Sequence, residues 1–112
     1  MNRKRQSRAL LIEQELNDFI ERLKKNYHPL KIILFGSAAS KNINQRSDID
    51  VIVIKETDKN FWERLREINF YCSKKIGMDV LIYTPEEFKQ LSENRLFFKN
   101  EILKKGKIIY AK

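Results

Sequence analysis

The chain has 112 residues, enough for one hydrophobic core and one domain and too few for two. With 42% hydrophobic and 34% charged residues it has the balance of a soluble globular protein, and no apolar run approaches the ~20 residues that span a bilayer. A net charge of +8 favours anionic partners (nucleotides, RNA or an acidic protein face) and says nothing about fold.

Residues 1–8 are expected to be a flexible basic terminus, with Lys4, Arg5 and Arg8 solvated. They lead into a polar-interrupted helix and not into an apolar signal core. Cys72 is the single cysteine, so no internal disulfide is possible, and a reducing cytoplasmic setting is expected. Leu10 to Asn26 reads as a helix, because Ile12, Leu16, Phe19, Ile20 and Leu23 recur at three- and four-residue steps. His28-Pro29 ends it. Leu30 to Phe35 is a short apolar, β-branched run and reads as a buried strand closed by Gly36-Ser37. Ala38 to Ser40 reads as a turn of helix, and Lys41 to Ser47 as a polar loop.

Asp48 to Ile54 is the second expected strand, with Val51 to Ile54 buried on both faces. Asp58 is the expected N-cap of a helix from Phe61 to Ile76, with Gly77 as its stop. That helix would supply Phe61, Trp62, Phe70 and Tyr71 to the core and to a partner surface. Met78 to Tyr83 is a third strand. Thr84-Pro85-Glu86-Glu87 is a capping box with proline at the first helical position. Helix continues from it to Lys105 with a break near Asn94, and Phe97-Phe98 places one ring inward and one outward. Ile108 to Tyr110 is a fourth strand. The order predicts an α/β (α+β) domain, a small mixed sheet of about four strands with helices packed on it, over residues 1–112.

Chemistry concentrates at two places. Along a strand, Asp48 and Asp50 point to the same face. Two carboxylates side by side repel, and a divalent cation resolves the repulsion; hard oxygen donors suit magnesium. Asp50 is followed by four apolar residues, a costly place for a charge unless it is paired or metal-bound. Gly36 at the carboxyl end of a strand permits a sharp turn and close approach of a ligand, and Ser37 offers hydroxyl and amide donors to an anion. Asp79, between Met78 and Val80, completes a three-carboxylate site if the second and third strands are neighbours.

Gly36-Ser37, ten intervening residues and then Asp48-Ile49-Asp50 resemble the signature of the DNA polymerase beta-like nucleotidyltransferase superfamily. The size of the chain and its ending, Phe98 to Tyr110, look like the minimal nucleotidyltransferases. The resemblance implies that Asp48, Asp50 and Asp79 hold two magnesium ions and that Asp79 orients or deprotonates an acceptor hydroxyl. It implies that Ser37, with the backbone after Gly36, grips the β- and γ-phosphates of ATP. The implied reaction transfers a nucleoside monophosphate and releases pyrophosphate. Where many minimal members read Gly-Ser-Arg-Ala-Arg-Gly, this chain has Ala38, Ala39, Ser40 and Lys41 after the Gly-Ser pair. Lys41 or Arg46 is then the substitute phosphate ligand, with a point charge or a fork respectively.

The resemblance also implies a small helical toxin partner of the HEPN class, adenylylated on a tyrosine. A chain too short for its own acceptor domain agrees with an acceptor supplied in trans. Two other readings stay open. The altered stretch after Ser37 favours an inactive fold that neutralises its partner by contact, and the positive charge favours transfer to an RNA end. A homo-oligomer is compatible with either.

Overall fold

The computed structural model describes residues 3–40 and 42–112, with side chains from Ser7 onward except Lys41. The expectations for the side chains of Lys4, Arg5 and Lys41 therefore lie outside the described residues.

Helix α1 spans Arg3–Asn26 and so begins well before Leu10. Its first turns lack an apolar stripe but hold good helix formers such as arginine, lysine, glutamine and alanine. Ile12, Leu16, Phe19 and Leu23 are buried along one side. The helix closes when the amides of Tyr27 and His28 both donate to Leu23 O, each at 2.9 Å. His28, before proline, then leaves the helical region with φ +55°, a left-handed turn.

Four strands follow: β1 Lys31–Phe35, β2 Ile49–Ile54, β3 Met78–Tyr83 and β4 Lys107–Ala111. Their order across the sheet is β3-β2-β1-β4. β1 runs antiparallel to β2 and β4, whereas β2 and β3 are parallel. A parallel pair needs a crossover, and helix α3 (Phe61–Asn69) supplies it. Alternation along β2 sends Ile49, Val51 and Val53 to the face covered by α1 and α3, and Ile52 and Ile54 to the opposite face. That second face is covered by α4 (Pro85–Asn94) and a π-helix, Phe98–Lys104, through Phe98 and Ile102. Each fully buried side chain of this kind contributes roughly 1.5–3 kcal/mol.

Helix α3 departs from the expectation at both ends. Its cap is Asn60, in a capping box with Glu63, and not Asp58. It stops at Asn69, well short of Gly77, because the Ser73 hydroxyl diverts the chain. That hydroxyl accepts from the amides of Lys75 and Ile76 at 2.9 and 3.1 Å and donates to Glu15 at 2.5 Å. The short helix turns Arg64 and Ile68 inward. Phe61, Trp62 and Phe70 consequently stand exposed, not in the core, Trp62 at 68% and Phe70 at 84%. Helix α4 begins with the Thr84–Glu87 box as read. The chain then breaks at Arg95, in extended conformation, and resumes as the π-helix. Phe98 is buried and Phe97 half exposed, as the sequence indicates. Among the described residues no helix is long and apolar enough to cross a membrane.

Candidate active site

The site is assembled where β1 ends and β2 and β3 begin. β1 runs into Gly36, whose φ of +72° is the left-handed region that favours glycine. The chain turns there into α2, Ser37–Ser40. The carbonyl of Gly36 accepts from Ala39 and Ser40 at 3.2 and 3.1 Å. The amides of Ser37 and Ala38 stand at the open start of this turn, where helical amides have no intrahelical partner.

Asp50 lies opposite Phe35 on β1 and opposite Asp79 on β3. Alternation puts Asp50 on the side of Ile52, and Asp79 on the side of Leu81, so both face the layer of α4 and the π-helix. The Asp79 carboxylate stands opposite that of Asp50 across the parallel pair. The Asp50 carboxyl is pushed up to about 6, first by burial, then by the neighbouring carboxylates of Asp79 and Asp48. It also presses on the turn: a Cβ at position 36 would lie 2.4 Å from Oδ2 of Asp50. Gly36 is thus required twice, by its dihedral angle and by the carboxylate above it. Phe35, met edge-on by Phe97 with 6.2 Å between ring centroids, forms an apolar wall beside the pair.

Asp48 immediately precedes β2 and does not lie within it. Its carboxylate is about half exposed and lies against Gly77, where a Cβ would stand 2.9 Å from both oxygens. Gly77 therefore leaves room for Asp48 and does not stop a helix, and its carbonyl accepts from Ile49 N at 3.0 Å. From α1, Arg8 reaches across to place Nη2 3.3 Å from Oδ1 of Asp48, while its Nε donates to Ser47 O at 2.8 Å. Arg8 is thus not a solvated terminal residue. Among the described residues, no group of three or more aspartate, glutamate, histidine or cysteine side chains is placed to hold a metal ion, so the expected three-carboxylate site is not assembled. The structure brings Asp50 and Asp79 together, with Asp48 next to them but drawn toward Arg8.

This donor set suits magnesium. Mg²⁺ is usually held by one or two carboxylates, with substrate phosphates and water completing an octahedron, and seldom by an all-protein cage. Two hard carboxylates set side by side repel, and a cation relieves the repulsion. Ser37 is half-buried and follows Gly36, on which Asp50 presses. Arg46 is exposed in the loop before β2. Its amide is held by Asn44 Oδ1 at 2.8 Å, and no hydrogen bond among the described residues ties its guanidinium to the site. Lys41 is outside the described residues.

Arg8 and Gly77 were not legible as site residues. Arg8 is one of several cations in a basic terminus, and only the tertiary structure selects it. Gly77 stands two residues before Asp79 and mimics a helix stop.

The fold is that of the nucleotidyltransferases. The family described as polymerase beta nucleotidyltransferase matches residues 17–112, and the chain belongs to that family. It is 31% identical over 104 residues to the "putative protein adenylyltransferase" of Methanocaldococcus jannaschii, covering 88% of this chain and 97% of that one. The fold is similar to that of a "putative nucleotidyltransferase" from Sulfolobus solfataricus, with a TM-score of 0.72 and 13% identity over 100% of this chain and 91% of the other. A toxin–antitoxin crystal structure with AMP-PNP is also similar in fold, with a TM-score of 0.55 and 19% identity over 86% of this chain and 73% of that one.

Proposed function

We propose that this protein is a magnesium-dependent adenylyltransferase that moves AMP from ATP onto a hydroxyl of a partner protein, a tyrosine of a small helical HEPN-type toxin. The observation that carries the reading is the Asp50–Asp79 pair, placed in register on parallel strands beside the Gly36-Ser37 turn. The name of the Methanocaldococcus relative supports a protein acceptor, and the AMP-PNP assembly supports an adenine nucleotide and a toxin partner.

Asp50 and Asp79, with Asp48 joining them, would hold magnesium, which neutralises the triphosphate and the charge that develops in transfer. Ser37 and the amides at the start of α2 receive the β- and γ-phosphates. Asp79, the exposed member of the pair, takes the proton of the acceptor hydroxyl. The acceptor oxygen forms a bond to the α-phosphorus, the bond from that phosphorus to the β-bridging oxygen breaks, and pyrophosphate leaves with the electron pair.

A second reading has one observation in its favour. The four residues of α2, Ser37-Ala38-Ala39-Ser40, carry no cation. A fold with so weak a phosphate grip would neutralise a toxin by contact alone. Incubation with ATP labelled at the α-phosphate, magnesium and a candidate toxin separates the two. Label on the toxin, lost in Asp50→Asn, is the expected result. Tight binding of the toxin without label supports the contact mechanism, and label on RNA instead of protein overturns the choice of acceptor.

A further inference from the structure

We infer that Arg8 is a positioning residue for the metal centre: its guanidinium stands in for a cation at Asp48 and gives that carboxylate up when the ion binds. The inference rests on the magnesium-dependent reading above. Arg8 belongs to α1, a different layer from the strands that carry the aspartates. Yet its side chain is only 20% exposed and makes two contacts of different kinds. Nε donates to the backbone carbonyl of Ser47 at 2.8 Å, whereas Nη2 meets Asp48 Oδ1 at a longer 3.3 Å. The first contact holds the chain at the entry to β2, where Ser47 is buried and its hydroxyl accepts from Asn44 N at 2.9 Å. The second is a partly exposed ion pair, of the kind that is individually weak.

The fork geometry lets one contact survive the loss of the other. With Nε still on Ser47, Asp48 is free to turn from Nη2 toward Asp50 and Asp79. Gly77, lacking a Cβ, leaves the space in which the carboxylate lies beside Arg8. Arg8 sets a positive charge against Asp48 at the edge of the Asp50–Asp79 pair and holds the entry to β2 in place. Among the described residues no three carboxylates are placed together to hold an ion, and the one that stands apart, Asp48, is the one paired with Arg8.

A cation competing at Asp48 weakens metal binding, whereas a merely structural anchor strengthens it, so the two roles predict opposite signs. Mn²⁺ alone, without nucleotide, is titrated calorimetrically into the wild type, Arg8→Gln and Arg8→Lys. Arg8→Gln should bind Mn²⁺ about three- to tenfold tighter than the wild type at low salt, with the gap closing at high salt. Arg8→Lys, which keeps the charge, should stay near the wild type. Equal or weaker binding by Arg8→Gln overturns the inference. If Arg8→Gln does not fold, the wild type decides: saturating Mg²⁺ should shift the NMR signals of the Arg8 guanidinium while its Nε–H stays protected from solvent. Unchanged signals overturn the inference. A wild type that binds neither Mn²⁺ nor Mg²⁺ overturns both this inference and the reading on which it rests, whereas wild-type binding unaffected by Arg8→Gln overturns the inference alone.

Discussion

Asp50 carries two opposed consequences. It is held half-buried between Asp79 and Gly36 at an energetic cost, since burial and a neighbouring carboxylate both disfavour its charge. Asp50→Asn should therefore leave the metal-free protein as stable as the wild type or more so, by thermal melting in EDTA at neutral pH. The same variant should lose transfer on the order of a hundredfold or more in the labelled-ATP assay, because a charge that stabilises the transition state is gone. Gly36→Ala should fail in both respects. The positive φ costs an L-residue roughly 1–2 kcal/mol, and the new methyl group would meet Oδ2 of Asp50 at 2.4 Å. A lower melting temperature together with lost transfer is the expected result. The pattern Gly36-Ser37 and Asp48-Ile49-Asp50 made this part of the site readable in advance, because aspartate inside a β-branched run and glycine at its end are each anomalous. The partner of Asp48 was not readable, because nothing local distinguishes Arg8 from its basic neighbours.

At the scale of elements, Arg64 shows how α3 is held. Its guanidinium bonds Lys59 O at 2.7 Å, Ile82 O at 3.3 Å and Glu87 Oε1 at 2.7 Å, joining α3 to β3 and to the start of α4. Arg64→Met should cost about 1–3 kcal/mol in urea unfolding, chiefly through acceptors left unpaired. The Arg64 bond, helped by the Thr84 amide, holds the Glu87 carboxyl below its usual value of 4.5. A depressed acid stabilises the fold above its unfolded value, and that stabilisation is lost as pH falls through the folded value. The wild type should therefore lose its stability advantage over Glu87→Gln below about pH 4.5, by chemical unfolding at successive pH values. The advantage itself is small, since the carboxylate is substantially exposed. Element types followed from period and capping boxes, as at Thr84-Pro85-Glu86-Glu87. The early end of α3 did not, because it depends on Ser73 meeting Glu15 from a distant helix.

At the scale of the molecule, the sheet order β3-β2-β1-β4 is what makes a site out of separate residues. It sets Asp79 beside Asp50 and delivers the Gly36 turn from the other side. Ligand that binds only this assembled state must stabilise it. MgATP at a hundred times its dissociation constant should add about 2.7 kcal/mol. A shift of a few degrees in melting temperature is then expected for the wild type and none for Asp50→Asn. Equal shifts in both would remove Asp50 from the nucleotide site.

The composition of the elements, the turn after β1 and the acidic residues of β2 and β3 follow from the sequence alone, because periodicity, capping and the cost of a buried charge act between near neighbours. Tertiary structure alone decided that β2 and β3 run parallel and in register, that Gly77 makes room for Asp48, and that Arg8 of α1 holds it. Those are contacts between residues about 30 to 40 positions distant, set by how layers pack and charges pair in space.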